Sequence, residues 1–168
     1  MAWGEKGGWR GFVIQRSRKA FQKTGSETTL IGGSLKDKTI IRHIPAQHFL
    51  AWKELYEDYA FWQDRGFTYV PIEPIISYDL GKDGTVAVFA GVLDLSLATW
   101  KDMAGPFQGE LEIQKNRILS ALDEKGFEHG HNHDNNFCLR LVRNAQGQPR
   151  FDVLPRLYLI DFDQAVSP

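Results

Sequence analysis

The stretch HGHNHDNN, residues 129–136, gathers three of the chain's five histidines and closes on Asp134, Asn135 and Asn136. Its flanks decide how it is read. Before it, residues 110–126 (ELEIQKNRILSALDEKG) predict a helix. Leu111, Ile118, Leu119 and Leu122 share a face, Glu110 and Glu112 suit the positive N-terminal end, and Gly126 suits the stop. After it, FCLRLVRN and RLYLIDF predict two strands joined by the turn-rich AQGQPRFDVLP, the second running into Asp161, Phe162 and Asp163. A hairpin of that spacing returns Asp161 opposite Asn136. One carboxylate and one amide oxygen from adjacent elements are ligands that a hard divalent cation takes, especially when phosphates complete its shell. The pattern points to phosphoryl transfer, in which the protein fixes the metal and the metal fixes the phosphates.

Working outward, the N-terminal part predicts short strands. GFVIQR and KAFQKT read as one hairpin, and TTLIGGSL and DKTIIRHIP as another bent at Lys36 and Asp37. Residues 51–66, AWKELYEDYAFWQDRG, predict a helix with Trp52, Leu55, Tyr59 and Trp62 as its apolar stripe and Gly66 at its end. The prolines of FTYVPIEPIISYDL favour extended chain, GKDGT turns it, and TVAVFAGVL reads as a buried strand. LSLATWKDM predicts one short helix. Trp52, Trp62 and Phe89 are expected in the core.

The composition sets bounds. The chain has 168 residues, 42% of them hydrophobic and 24% charged, which suits one globular domain and excludes disordered or collagen-like chains. A net charge of -1 gives no general basic field, which argues against nucleic acid as a partner. Arg16, Arg18, Lys19 and Lys23 read as a solvated hairpin face. The lone Cys138 lies in an apolar run and reads as a small buried hydrophobe. No stretch approaches the ~20 apolar residues of a membrane span, and the N-terminus lacks a secretory h-region. A reducing cytoplasm, the chain's own or that of a host cell, is the expected location.

GFEHGHNHDNNF (126–137) resembles the catalytic loop of the protein-kinase-like superfamily, whose small-molecule and RIO-type branches carry H-G-D-x-x-x-x-N before an apolar strand. YLIDFDQAVS (158–167) resembles that superfamily's metal-binding D-F-G segment, in the I-D-F-x-Q form of RIO-like kinases. The resemblance implies a small two-lobed α+β fold. Residues 1–93 would form an antiparallel N-lobe sheet with one helix, and residues 94–168 a reduced helical C-lobe. It implies ATP with magnesium, or manganese in its place, as cofactors. Asn136 and Asp161 would hold the metal with help from Asp163, and His129 would pin the loop to the metal-binding segment. FAGVLDLSL (89–97) would be the hinge, with Phe89 near the gatekeeper position and backbone groups around Ala90 to Val92 meeting adenine. Glu57, or Glu54, on the first helix would pair with a cation on the strand TIIRHI.

This sequence departs from the family pattern at three places. His131 stands where the family has its catalytic aspartate. An imidazole there accepts a proton but supplies no negative charge, and His133 or Asp134 would replace it only through a shifted loop. The strand cation is Arg42 in place of lysine, with Lys38 nearby, and the glycine-rich loop is reduced to Gly32, Gly33 and Ser34. The chain ends five residues after Asp163, so a minimal kinase-like fold or a fragment of one is expected.

Three functions follow. The first is a kinase-like phosphotransferase acting on a protein or small-molecule acceptor. The second is a pseudokinase-like module that binds nucleotide or a partner without turnover. The third is a metal-dependent hydrolase built on H-x-H-x-H-D, with Asp161 or Asp163 as a further ligand. A reduced second lobe would leave apolar surface for a partner or a second copy.

Overall fold

The period of a strand fixes the first decisive feature. In Thr39–Pro45 (β2), Ile40, Arg42 and Ile44 turn inward and are buried while the alternate residues face out. Arg42 is thereby held among apolar neighbours. The computed structural model describes residues 28–31, as backbone only, and 39–168. The first expected hairpin, the Lys36–Asp37 bend, Lys38, the basic cluster and Gly32 to Ser34 lie outside the described residues.

Thr28–Ile31 (β1) pairs antiparallel with β2, from Thr28 opposite Arg42 to Ile31 opposite Thr39. Ile75–Leu80 (β3) and Thr85–Gly91 (β4) complete a four-stranded antiparallel sheet in the order β1-β2-β4-β3. β4 is not the doubly covered strand expected from its apolar run. Val86, Val88 and Ala90 are buried, whereas Ala87, Phe89 and Gly91 are half-covered. An antiparallel sheet commonly packs one face on the core, and Phe89 falls on the other, outside the buried core.

Ala46–Glu57 (α1) packs Phe49, Ala51, Trp52 and Leu55 against this sheet. The helix expected through residue 66 breaks at Asp58, whose carboxylate caps a second helix, Tyr59–Asp64 (α2), by accepting from Phe61 N. A short acidic side chain that bonds its own backbone favours such a cap over helix interior. The break shifts the phase: Trp62 is buried and donates its Nε1–H to Leu55 O at 2.8 Å, while Tyr59 is 50% exposed. Gly66 ends α2 at φ +85°, with its N–H on Gln63 O.

Leu95–Ser96 (β5), Phe137–Arg140 (β6) and Arg156–Leu159 (β7) form a second antiparallel sheet in that order. Leu97–Asp102 (α3) follows β5, capped by Ser96. Gln108–Lys125 (α4) buries Leu111, Ile118, Ala121 and Leu122 and stops at Gly126, in the left-handed conformation. The fold is α+β, the class expected from the sequence. The sheets meet where Ile72 pairs parallel with Leu159, and Glu73 N–H donates to Leu159 O at 2.8 Å. One buried apolar cluster runs through both, from Ile44, Trp52 and Val88 through Ile72 to Leu139, Leu157, Leu159 and α4. Cys138 is buried in a smaller cluster with Ile40, Val92 and Ile160, and burial pushes its thiol pKa up. Among the described residues no helix is long and apolar enough to cross a membrane.

Trp52 ties helix, sheet and C-terminal segment together. Its Nε1–H donates to Glu73 O at 2.9 Å, and its ring stacks on Phe162 with centroids 5.9 Å apart. Trp52→Ala is expected to cost about 3–5 kcal/mol, read as a lower urea midpoint at unchanged slope. A loss below about 1 kcal/mol would show that this stack does not hold the core.

Candidate functional site

Arg42 needs a buried counter-charge, and the chain brings one from an unexpected place. Glu73, fully buried between Ile72 and Pro74, accepts from Arg42 Nε at 2.7 Å. Its other carboxylate oxygen accepts the backbone N–H of Asp161 at 3.0 Å. Asp161 Oδ1 lies 3.7 Å from Arg42 Nη1. Three segments distant in sequence therefore share one ion cluster. Burial opposes the charge on Arg42, but Glu73 and Asp161 outweigh it and hold the guanidinium protonated. Its Nη2 is buried and has no hydrogen-bond partner among the described residues.

Asp161 sits at φ +62°, a left-handed conformation that aspartate tolerates better than most residues. Burial, with Asp163 and Glu73 nearby, raises its pKa to about 6 against the pull of Arg42.

The histidine loop is fastened beside this cluster. His131 N–H donates to His129 Nδ1 at 3.1 Å, which leaves His129 Nε2 to donate to Ile160 O at 2.7 Å. The His129 ring also meets Phe162 edge-on. Burial lowers the His129 pKa and favours this neutral form. Residues Asp134–Asn136 make one 3-10 turn. Asn136 is buried. Its Nδ2 donates to His131 O at 2.7 Å, and its backbone O accepts from Ile160 N at 2.8 Å. The amide nitrogen is thus engaged, and Oδ1 is the atom suited to a cation. The hairpin brings Asn136 opposite Ile160, one residue from Asp161.

His131 and His133 are exposed, with ring centroids 6.2 Å apart. Asp134 does not turn into the site. It bonds Lys101 and Lys115, each at 2.8 Å, and although burial acts the other way these bonds hold its pKa below the ordinary carboxylate range. Among the described residues no three His, Cys, Asp or Glu are grouped to hold a metal ion. The histidine cage of the hydrolase reading is not formed, because both ring nitrogens of His129 hold the loop.

The expected ion pair of the strand cation with Glu57 is corrected. Glu57 is exposed at the end of α1 and bonds Lys53 at 2.7 Å, one helical turn back, while Glu54 is also exposed. Helix phase points both away from Arg42. Ala90 stands in the ladder opposite Ile40 and Ile75, and Val92 packs with Ile40, Tyr158 and Ile160. Gly32 and Gly33 lie outside the described residues. Sequence reasoning missed Glu73, although a lone charge inside the apolar run PIEPII was its signal. It also missed Asp94, a buried carboxylate that accepts from Leu141 N and Arg143.

No family model and no curated protein matches the chain. Among solved structures it is similar to a chain in the crystal structure of the yeast RNA Pol II CTD kinase CTDK-1 complex, with a TM-score of 0.47 and 13% identity. The match covers 88% of this chain and 49% of that one, so this chain spans about half its length.

Two measurements check the cluster. Glu73→Gln removes the hydrogen-bonded counter-charge of buried Arg42, leaving Asp161 at 3.7 Å, and is expected to cost about 3–5 kcal/mol, whereas Glu57→Gln leaves the denaturation midpoint in place. Equal effects would restore the helix pairing. Asp161 titrates near 6 when folded and near ~4 when unfolded. The folded state therefore binds the extra proton, and stability falls as pH rises from about 4 to about 6. Asp161→Asn is expected to raise the melting temperature of the ligand-free protein at pH 8, with the gain vanishing by pH 4. A gain that grows toward acid would reverse the assignment.

Proposed function

We propose that the chain is a kinase-like phosphotransferase of RIO-like or small-molecule-kinase character, binding ATP with magnesium or manganese. The observation that supports this reading is the hydrogen bond from Ile160 N to Asn136 O, which sets Asn136 across the β6–β7 hairpin one residue from Asp161, near a buried arginine whose Nη2 has no hydrogen-bond partner among the described residues. The donor set fits a hard divalent cation: one amide oxygen and the carboxylates of Asp161 and Asp163. A cation there would offset the repulsion between those two neighbouring carboxylates. Arg42 Nη2 fits an anionic oxygen such as that of a phosphate. When bound, the metal would supply charge neutralisation for the transferring group.

In this reading backbone groups of Ala90 and Val92 meet the adenine, and Gly32 and Gly33, outside the described residues, are the candidate phosphate contacts. His131 lies nearest the acceptor, a protein or a small molecule, and a cytoplasm supplies ATP and magnesium. Residues 1–93 and 94–168 act as the two lobes. A second reading, a nucleotide-binding module without turnover, is favoured by one feature. His131 stands where a carboxylate would orient an acceptor hydroxyl.

Magnesium with ATP is expected to raise the melting temperature, corresponding to about 2.7 kcal/mol at a hundredfold excess over Kd. Asp161→Ala abolishes the magnesium-dependent part. Transfer of labelled terminal phosphate that Asp161→Ala removes supports the enzyme, and binding without transfer supports the module. A chain that no nucleotide stabilises is neither.

A further inference from the structure

The loop that carries Asn136 has two ends to fix, and hydrogen bonds from His129 account for only one. At the other end the Asp134 carboxylate is gripped by lysines from two helices, Lys101 Nζ of α3 at Oδ2 and Lys115 Nζ of α4 at Oδ1, both at 2.8 Å. Glu112 stands between the two ammonium groups, 3.1 Å from Lys101 and 3.7 Å from Lys115, and reduces their mutual repulsion. Asp134 opens the short turn that ends in Asn136, and Asn136 N–H closes on His133 O at 2.9 Å.

We propose that Asp134 is a positioning residue: clamped between α3 and α4, it sets the backbone that aims the Asn136 amide oxygen at the cation. This rests on the phosphotransferase reading for the cation, while the clamp itself is a property of the free protein. A carboxylate held by two cations from separate elements has less freedom than one in a single surface pair, and four ionic contacts share the constraint. The fastened ends leave His131 to His133 as the loop's exposed middle. The chain thus keeps its one nearby loop carboxylate for orientation and presents imidazoles to an incoming group.

The test has two arms. Amide hydrogen exchange of the free protein is compared for wild type, Asp134→Asn, Asp134→Glu and Lys115→Met. Exchange at Asn136 is expected to quicken in Asp134→Asn and Lys115→Met and to recover partly in Asp134→Glu, with β4 and α1 amides unchanged. Unchanged exchange at Asn136, or acceleration throughout the chain, overturns the clamp. In the second arm magnesium is titrated at saturating ATP. Asp134→Asn is expected to weaken magnesium binding roughly tenfold and to leave metal-free ATP affinity in place. Combined with Asn136→Ala, it should add no further loss. Equal loss with and without metal, or additive losses, refutes positioning through Asn136. A wild type that takes no nucleotide ends the phosphotransferase reading, and the exchange arm then decides the clamp alone.

Discussion

The rest of the structure depends on one charge in an apolar place. Strand alternation turns Arg42 inward between Ile40 and Ile44, and a buried guanidinium without a partner is not tolerated. The chain answers with Glu73, delivered by the extended Pro71–Pro74 segment. That segment is itself fixed by the Trp52 indole, by a bridge to β7, and by the Asp161 backbone. A first-helix glutamate is not required. The ion pair belongs to the sheets and their junction.

Such a cluster is not a source of stability by itself. Removing both ions from water offsets much of their attraction, and Asp161 is held against its preference in a left-handed backbone with a raised pKa. Phe162, the next residue, supplies compensation by packing between Trp52 and His129. The segment thus combines a costly carboxylate with a well-buried ring.

Local pattern made much of this legible. The strand TIIRHIP, the stop of α4 at Gly126 and the β6–β7 hairpin follow from periods and turn residues that act over a few positions. Three features did not. Asp58 breaks the first helix because its side chain competes for backbone donors, which an apolar stripe does not register. β4 is buried on one face and half-covered on the other, which a continuous apolar run does not reveal. Glu73, rather than Glu57, pairs with Arg42 because partner choice is set by tertiary approach over 31 residues. The loop's tie to Lys101 and Lys115 is equally non-local.

The central claim is that the 136 amide and the 161 carboxylate face one cation beside Arg42. Manganese added to isotope-labelled protein with a non-hydrolysable ATP analogue tests it directly, because the ion broadens resonances of nearby nuclei. The account expects loss of signal concentrated at Asn136, at Ile160 to Asp163 and at the Arg42 side chain, with α4 unaffected. Broadening centred on His131 and His133, or spread over exposed carboxylates without preference, would contradict it.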